Sequence, residues 1–272
     1  MDDWAQIRRA CALMEDEAVL VLCKPAGISV VGERHEADLL TLAASAGERL
    51  LPVHRIDKVT SGAVLLAKRR SAHADLTRQF QRRSAGKVYL AVTRSSGLPG
   101  HGTIELPLSV GRKTRVRVAA QRSSILADQA SGRWSVPSDE VFTHTRTYPS
   151  LTTFVRVRED RQRTLLAVRP VTGRRHQIRV HLAWIGHPIE GDPLFGGQTG
   201  SSAPRTALHS WRLAFGAPWS ATARIQVEAP PGDDFWACLD PHLAHGVRDT
   251  ILQTARAASE ALELSVGRAV PG

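Results

Sequence analysis

The run His54-Arg55-Ile56-Asp57-Lys58 places one carboxylate among three basic side chains, just before an apolar segment. A neighbouring positive charge favours the ionised form of a carboxyl group. An ionised carboxylate in a sheltered cleft is a nucleophile, whereas the same residue on a surface forms an ordinary salt bridge of small energetic consequence. The chemistry of the residues alone leaves both interpretations of Asp57 open.

A second basic cluster, residues 174–179, opens a segment whose apolar residues recur at i, i+4 and i+7, the spacing of one helical face. Thr172 is placed to cap the predicted helix, and Gly186 is placed to end it. Together with Asp57, this cluster is the part of the sequence whose residue types could carry chemistry.

Spacing argues against the common alternatives. His176 and His181 are five residues apart, whereas two imidazoles on one helical face need a separation of four, so we do not predict a metal site. The three cysteines are far apart and form no C-x-x-C pair, which argues against a disulfide framework and a cysteine zinc site. The sequence has no Walker-type loop, no dinucleotide glycine motif and no G-x-S-x-G elbow.

The charge balance favours a polyanionic partner. The 272 residues contain 36 lysines and arginines against 26 acids, a formal net charge of +10. Cationic side chains gain free energy by displacing counterions from phosphates, so nucleic acid is favoured over a merely basic surface that reflects arginine-rich codon usage. The chain is long enough for one large domain or two small ones. Without an apolar run of membrane length or a signal-peptide pattern, we expect a cytoplasmic protein.

The elements that would position these residues alternate irregularly, which favours an α+β fold over a doubly wound sheet. Apolar runs bounded by turn residues predict the strands, at 18–32 (two strands around a Lys-Pro-Ala-Gly turn), 64–68, 87–93, 152–159, 164–170, 207–218 and 224–231. Helical spacing predicts the helices, at 7–13, 38–47, 71–86, 172–186 and 241–264. Ser71 would cap the third helix and Gly86 would close it.

Two polar stretches fall between these elements. Val116 and Val118 alternate with arginines, which predicts a strand with one basic face. That face would bind a nucleic-acid backbone or be simply solvated, and the same holds for the arginines at 78, 82 and 83. The residues of the face are Arg112, Lys113, Arg115 and Arg117. Residues 121–140 are polar and serine-rich with little periodicity, and we predict a loop or insertion there.

The residues around Asp57 also carry a resemblance. "HRIDKVTSGAVLLAK" resembles the signature of RluA-type pseudouridine synthases, written His-Arg-Leu-Asp, a basic residue, any residue, Thr-Ser-Gly. Four further segments are similar to that family's other motifs and follow in the same order, over about residues 18–231: "KPAGISV", "KVYLAV", "TGRRHQIRVHLAWIGHPIEGDPLFGG" and "LHSWRLAF" with "APP". Four positions depart from the family pattern without removing a group that the chemistry needs: Ile56, Arg175, Phe195 and Ser210.

The resemblance implies a fold and a reaction. The fold would be a mixed, largely antiparallel β-sheet flanked by helices, with a central basic cleft. The catalytic domain would span 18–240, between a lead-in at 1–17 and a C-terminal helix and tail at 241–272. The reaction would convert uridine in ribosomal or transfer RNA, presented in a stem-loop, to pseudouridine. It would need no cofactor and no metal, and we expect a monomer.

The resemblance also assigns the catalytic residues. Asp57 matches the family's catalytic aspartate, which would act as nucleophile or base at the ribose or add to the uracil ring; the sequence leaves the two routes open. Arg179 matches the motif arginine expected to pair with that aspartate and keep it charged. Tyr89 matches the active-site tyrosine, whose phenol can stack on uracil and also handle a proton.

Substrate contacts follow from the same motifs. A uridine stacked in RNA cannot reach a buried carboxylate, so it must flip out, and Arg55 could fill the gap or hold a phosphate. Ile178 could form an apolar wall of the base pocket. Four polar residues of these motifs are predicted to bind substrate as well: His54, Arg174, His176 and Gln177. His54 could instead be structural, by hydrogen bonding the loop.

Two other functions remain open. The chain could be an RNA-binding module without activity, which an intact set of Asp57, Tyr89 and Arg179 argues against. It could also be a glycoside hydrolase, which needs two carboxylates; Glu190 and Asp192 are present but read as loop residues. Release of free uracil would indicate the hydrolase.

Overall fold

The computed structural model describes residues 3–32, 37–111, 115–197 and 203–266. The chain divides into two compact units, unit 1 from Met1–Lys87 with Leu208–Gly232 and unit 2 from Val88–Ala207 with Asp233–Gly272. Each unit contains mostly antiparallel strands with helices packed on them, which confirms the predicted α+β class. The predicted domain boundaries near residues 17 and 240, and the basic cleft, stay predictions.

Unit 1 is built on strands that follow one another in the order β1 (Ala12–Glu15), β2 (Val19–Lys24), β4 (Ser61–Ala67) and β14 (Leu208–Gly216). Two shorter strands extend it, since β3 (Leu51–Pro52) pairs with β4 and β15 (Arg224–Glu228) pairs with β14. The pairing of β4 with β14 is parallel, and the others are antiparallel. Three helices complete the unit: α1 (Trp4–Cys11), α2 (Leu39–Ser45) and α3 (Arg70–Gln81).

The core of unit 1 centres on β4, which is buried along its whole length. A strand covered on both faces needs apolar or small residues at successive positions rather than at alternate ones, and the sequence "SGAVLLA" supplies them. Helix α3 packs Leu76 into the same cluster as Leu65 and Phe215. The loop that carries Asp57 therefore leads directly into the best-packed strand of the unit.

Unit 2 contains two sheets. Six strands follow one another in the order β5 (Gly86–Thr93), β13 (Thr164–Pro170), β12 (Leu151–Glu159), β6 (His101–Glu105), β10 (Arg133–Ser135) and β9 (Leu126–Asp128). The smaller sheet has the order β11 (Thr147–Tyr148), β7 (Leu108–Val110) and β8 (Val116–Val118). The helices are α4 (Gln177–Trp184), α5 (Asp233–Leu239) and α6 (His245–Val266). α4 packs on β8, β12 and β13, and α6 packs on β12 and β13.

The ends of α3 differ from the prediction. The helix begins at Arg70, with the extended residue Arg69 before it, so Ser71 lies inside the first turn and is not the cap. The helix ends at Gln81 because Arg83 adopts a left-handed backbone with φ of 60°. The amide of Ser84 then donates to the Gln79 carbonyl at 3.0 Å, which closes the last turn. Gly86, the predicted stop, instead begins β5.

The start of α4 also differs. Thr172 is not its cap, because the helix begins at Gln177 and His176 occupies the preceding position with φ of 55°. The predicted end is confirmed, since Gly186 follows the helix with φ of 94°. In the range 18–32 only the first predicted strand forms, and a single bridge from Ser29 to Asp38 stands in place of the second.

Residues 121–140, where we predicted a loop, contain β9, β10 and two short 3-10 helices. Trp134 of β10 is buried and packs against Phe154, with ring centroids 5.9 Å apart. This contact joins residues 20 positions apart, which no local periodicity reveals. Helix α5 was not predicted, and Arg112 and Lys113 lie outside the described residues. Within those described ranges, no helix combines the length and apolarity that a bilayer crossing requires.

Candidate active site

Asp57 lies in the connection between β3 and β4 of unit 1. Its backbone carbonyl accepts a hydrogen bond from the Thr60 amide at 3.0 Å, which closes a turn. Val53 and Ile56 are buried and anchor this connection, whereas Arg55 is exposed and Asp57 is half-buried. The buried apolar residues anchor the turn, and the charged residues Arg55 and Asp57 stay at least partly accessible to solvent.

The Thr-Ser-Gly sequence after Asp57 is required by the parallel pairing of β4 with β14. Gly62 has φ of 106° and lies opposite Ser210, whose carbonyl oxygen occupies the space that a Cβ at position 62 would need. The Ser61 hydroxyl donates to Nδ1 of His209 over 2.6 Å, and Nε2 of His209 donates to the Ala229 carbonyl at 2.9 Å. A carbonyl can only accept, so these bonds fix the imidazole tautomer. The turn that carries Asp57 is thus followed directly by the hydrogen-bonded pairing of β4 with β14.

Lys24 braces the same turn from the other side. Its ammonium group is fully buried and donates to the carbonyls of Pro25 at 2.8 Å, Ile28 at 2.7 Å and Lys58 at 3.3 Å. The Gly27 amide also donates to the Lys58 carbonyl at 2.8 Å. The Lys-Pro-Ala-Gly turn is therefore tied to the residue that follows Asp57. No role for Lys24 follows from the sequence, because a buried lysine cannot be recognised from composition.

His54 has structural contacts, and its predicted role in substrate binding stays a prediction. Its ring stacks on Phe80 at 4.6 Å between centroids, and its Nε2 accepts a hydrogen bond from the Leu65 amide at 3.1 Å. Burial lowers the pKa of the His54 imidazole to about 3, and the nearby Lys87 ammonium acts in the same direction. A neutral ring held by α3 and β4 positions the loop, with one ring face against Phe80 and the accepting nitrogen bonded to Leu65.

Arg179, in the first turn of α4 in unit 2, forms a buried bidentate ion pair with Asp192. The two bonds measure 2.7 Å from Nε and 2.8 Å from a terminal nitrogen, and the side chains are 2% and 0% exposed. Such charge-assisted pairs are short and directional. The guanidinium has five N–H groups, of which this pair uses two, so it can serve a second acceptor. The predicted pairing of Arg179 with Asp57 stays a prediction.

The loop that presents Asp192 is held by its own backbone and by a second ion-paired carboxylate. Asp192 also accepts from the amides of Leu194 at 2.9 Å and Phe195 at 3.2 Å. The preceding Gly191 has φ of 69°, and the Arg205 carbonyl leaves no space for a Cβ there. The buried carboxylate of Glu190 lies 3.7 Å from Nε of Arg94 and 3.5 Å from Nε of Arg163. Both carboxylates considered for a hydrolase therefore fix this loop in place.

Tyr89 and Ile178 lie near one end of the same unit. Tyr89 is 8% exposed and pairs in register with Val168 of β13, close to the end of that strand at Pro170. Residues 171–176 continue from that end into α4, whose first turn carries the buried Ile178. The antiparallel pairing therefore brings the tyrosine motif and the start of α4 to the same end of the strands.

Gln177 joins the segment before α4 to β12 by hydrogen bonds, and its predicted role in substrate binding stays a prediction. Its Oε1 accepts from the Thr172 hydroxyl at 2.6 Å and from the Arg174 amide at 2.8 Å, and its Nε2 donates to the Leu151 carbonyl at 2.8 Å and the Thr152 hydroxyl at 2.9 Å. These bonds satisfy the buried amide within the chain. Thr172, the predicted helix cap, serves this network instead.

Arg174 and His176 frame the start of α4. Arg174 is exposed, and its guanidinium lies 5.3 Å from the ring centroid of Tyr148, which Arg146 also faces at 5.2 Å. His176 meets Phe195 edge to face at 5.8 Å. Phe195 also lies 5.3 Å from the Arg179 guanidinium, so one ring contacts both motif residues. Arg174 stays a predicted substrate-binding residue, as does His176.

His181 and His187 each have structural contacts of their own. The ring nitrogens of His181 engage the Thr152 hydroxyl at 2.9 Å and the Leu106 carbonyl at 3.0 Å. Burial lowers the pKa of His181 to about 4. His187 contacts the Ser95 hydroxyl at 2.6 Å, and burial lowers its pKa as well. Over the described part of the chain, no three side chains of histidine, cysteine, aspartate or glutamate are grouped as metal ligands.

Comparison with known proteins decides the family. The family model described as RNA pseudouridylate synthase matches residues 18–184. The chain belongs to this family. The RluA-type resemblance is confirmed by a relative of that name, the dual-specificity RNA pseudouridine synthase RluA of Vibrio vulnificus. The two sequences are 33% identical over 229 residues, and the match covers 80% of this chain and 80% of the relative.

Other pseudouridine synthases are similar over most of the chain. Ribosomal large subunit pseudouridine synthase D of Nitrosomonas europaea is 33% identical over 84% of this chain, and the match spans 63% of that relative's length. The tRNA pseudouridine(31) synthase of Saccharomyces cerevisiae is 32% identical over 67% of this chain and 45% of its own length. The solved structure of human RNA pseudouridylate synthase domain containing 4 shares the fold, with a TM-score of 0.68, 22% identity and coverage of 88% of this chain and 94% of that one.

The residues matched to the pseudouridylate synthase family include Asp57, Tyr89 and Arg179, whereas Asp192 lies beyond the matched range. The contacts of Asp192 and Lys24 do not follow from the sequence. Asp192 stands 13 positions after its partner across a loop without periodicity, so only the folded structure reveals the pair.

Proposed function

We propose that the chain is an RNA pseudouridine synthase, an isomerase that converts uridine in RNA to pseudouridine. The observation that carries the proposal is the family match across residues 18–184, which contains Asp57 on a turn braced from two sides. The reaction breaks the bond from C1′ to N1, joins C1′ to C5, releases the C5 proton and protonates N1. It is redox-neutral and adds no group, so it requires no cofactor.

Asp57 is the proposed nucleophile. A carboxylate that is half-buried on a rigid turn is both accessible and held in one orientation, as nucleophilic attack requires. It attacks either the ribose or the uracil ring, and the proposal covers both routes. Arg179 is the proposed cationic partner of the reaction, and its bidentate pair with Asp192 fixes the guanidinium plane.

Tyr89 and Arg55 are the proposed substrate contacts. Tyr89 is largely buried on β5, which suits a ring that stacks on uracil and presents one hydroxyl. Arg55 is exposed two residues before the nucleophile, which suits a side chain that enters the RNA as the uridine flips out. Ile178 is buried at the start of α4, as an apolar pocket wall would be.

The substrate is proposed to be ribosomal or transfer RNA with the uridine in a stem-loop, and the enzyme to act as a monomer in the cytoplasm. Two observations support an RNA substrate. The formal net charge is +10, and relatives are named for ribosomal RNA, transfer RNA or both. Single-stranded loops are the parts of RNA whose bases can be extruded at least cost.

The test uses RNA tritiated at C5 of uridine, with transfer RNA and ribosomal RNA supplied separately. Wild type is expected to release tritium from one or both, and Asp57→Asn is expected to release none while binding RNA with a Kd within about twofold of wild type, because the amide keeps the size of the side chain but is not a nucleophile. Asp249→Asn, an exposed change on α6, is the matched control and should behave as wild type. Tritium release by Asp57→Asn at the wild-type rate would refute the assignment.

A further inference from the structure

Unit 2 contains a cleft of about 660 Å³ that the proposed reaction does not use. Its walls come from β8, from the last turn of α4 and from the loop after Asp192. The volume falls within the range of about 300–1,000 Å³ that is typical of small-molecule sites. The cleft is therefore large enough for a nucleotide.

The chemistry of the lining is basic and aromatic. Three exposed arginines form the rim: Arg115, Arg117 and Arg122. The floor is apolar, with the buried Val116 and the half-buried rings of Trp184 and Phe195. The described lining residues include no carboxylate. Such a surface favours a ligand that has both an anionic group and a flat ring.

The two rings are held by contacts that suit stacking. The Arg122 guanidinium lies over Trp184, with 5.2 Å from its carbon to the ring centroid. A guanidinium and an indole at this separation form a cation–π pair, and a nucleobase can extend the stack on the open face of the guanidinium. Arg115 donates to the Leu194 carbonyl at 3.2 Å, which ties the rim to the loop that bears Phe195.

Phe195 connects the cleft to the buried ion pair. Phe195 lines the cleft, and its ring centroid is 5.3 Å from the Arg179 guanidinium carbon. Its backbone amide donates to Asp192 at 3.2 Å. A ligand in the cleft would thus be separated by one aromatic ring from the arginine that we propose for the reaction.

We propose that this cleft binds an unpaired nucleotide of the RNA substrate, a neighbour of the target uridine. The base stacks with Trp184 and Arg122, and the phosphate is held by Arg115 and Arg117. Stacking accepts any base because every base has a π-face, whereas the arginines select the polyanionic backbone. The inference rests on the proposed function for the identity of the substrate, but the cleft is a separate surface that can be tested by binding alone.

The test measures binding of a fluorescein-labelled heptauridylate to the full chain by fluorescence anisotropy. Arg122→Glu and Trp184→Ala are each expected to raise the Kd by about tenfold or more, because each removes one side of the stacking site. Arg158→Glu, an exposed arginine of β12 outside the cleft, makes the same charge change and should alter the Kd by less than about threefold. Arg122 is exposed, so its variant is informative even where Trp184→Ala folds poorly.

A crosslink locates the bound base. Heptauridylate carrying one 5-iodouridine should crosslink on irradiation to the peptide that contains Trp184, and Arg122→Glu should abolish that product. Crosslinks confined to peptides without cleft residues, or equal Kd values for wild type, Arg122→Glu and Trp184→Ala, would overturn the proposal. So would selective binding of a labelled octaglutamate peptide in place of the RNA, since the cleft would then serve an acidic protein segment.

Failure of this inference is distinguishable from failure of the proposed function. If wild type releases tritium and Arg122→Glu binds heptauridylate as wild type does, the reaction stands and the cleft proposal is wrong. If wild type releases no tritium but the crosslink to Trp184 depends on Arg122, the cleft proposal stands and the proposed reaction is wrong.

Discussion

At the scale of single residues, the proposed catalytic arginine, Arg179, forms an ion pair with Asp192, a pairing that sequence spacing does not predict. Arg179 and Asp192 are both buried and share two short bonds. Removing one partner of such a pair leaves an uncompensated charge in the interior, which costs about 3–5 kcal/mol. Asp57 could be recognised because its motif is continuous in sequence, whereas Asp192 acts through a contact that spans an irregular loop.

Asp192→Asn is expected to lower the free energy of unfolding by about 3 kcal/mol, because the amide cannot balance the buried guanidinium. It should also lower kcat for tritium release by tenfold or more under conditions where the variant is folded, with KM less affected, because Arg179 loses the group that orients it. Urea unfolding and steady-state kinetics measure the two effects.

The matched control is Glu17→Gln, which breaks the pair with Arg69 at side chains that are 64% and 49% exposed. An exposed pair contributes at most about 1 kcal/mol, so this variant should keep both stability and kcat. Equal losses in the two variants would show that burial of the Arg179–Asp192 pair has no special consequence.

At the scale of elements, glycines at left-handed positions made some ends predictable. Gly186 ends α4 as predicted, since glycine adopts a positive φ without strain. The end of α3 was missed because Arg83, a residue with no such preference, adopts the same conformation. Apolar runs in the sequence predict the strands. The pairing of β4 with β14 is not predictable in this way, because it joins residues 147 positions apart. At position 62 this pairing requires glycine, because a Cβ there would overlap the Ser210 carbonyl.

Gly62→Ala is expected to lower the free energy of unfolding by about 3 kcal/mol or more, because the new Cβ would overlap the Ser210 carbonyl and force β4 away from β14. Gly27→Ala is the control, since Gly27 has a similar φ of 93° but open space around its Cα. Only the conformational strain of about 1–2 kcal/mol applies there. Thermal or urea unfolding that ranks the two variants equally would contradict the account of the Thr-Ser-Gly sequence.

At the scale of the whole molecule, each unit contains a histidine whose pKa burial lowers so far that the ring is neutral when folded. His54 belongs to unit 1, where burial lowers its pKa to about 3, and His181 belongs to unit 2, where burial lowers its pKa to about 4. The ordinary histidine pKa of about 6.5 applies in the unfolded chain. Between these values the unfolded state binds more protons, so stability falls as the pH falls from about 6.5 towards 4.

The free energy of unfolding is expected to decrease by up to about 1.4 kcal/mol per pH unit for each of the two histidines over that window. His54→Gln should reduce the slope, because its amide oxygen can accept from the Leu65 amide without titrating. His101→Gln, at an exposed position, should leave the slope unchanged. Urea unfolding at pH 4.5, 5.5, 6.5 and 7.5 measures the slopes, and a stability independent of pH down to 4.5 would contradict the burial argument.

The most direct test of the central claim is nucleoside analysis of RNA after incubation with the enzyme. Complete digestion and mass spectrometry with chromatographic separation distinguish pseudouridine from uridine, which have the same mass. The account predicts that wild type forms pseudouridine with an equal loss of uridine and no free uracil, and that Asp57→Asn forms none. Free uracil with no pseudouridine would identify a hydrolase instead, and pseudouridine formation by Asp57→Asn at the wild-type rate would remove Asp57 from the mechanism.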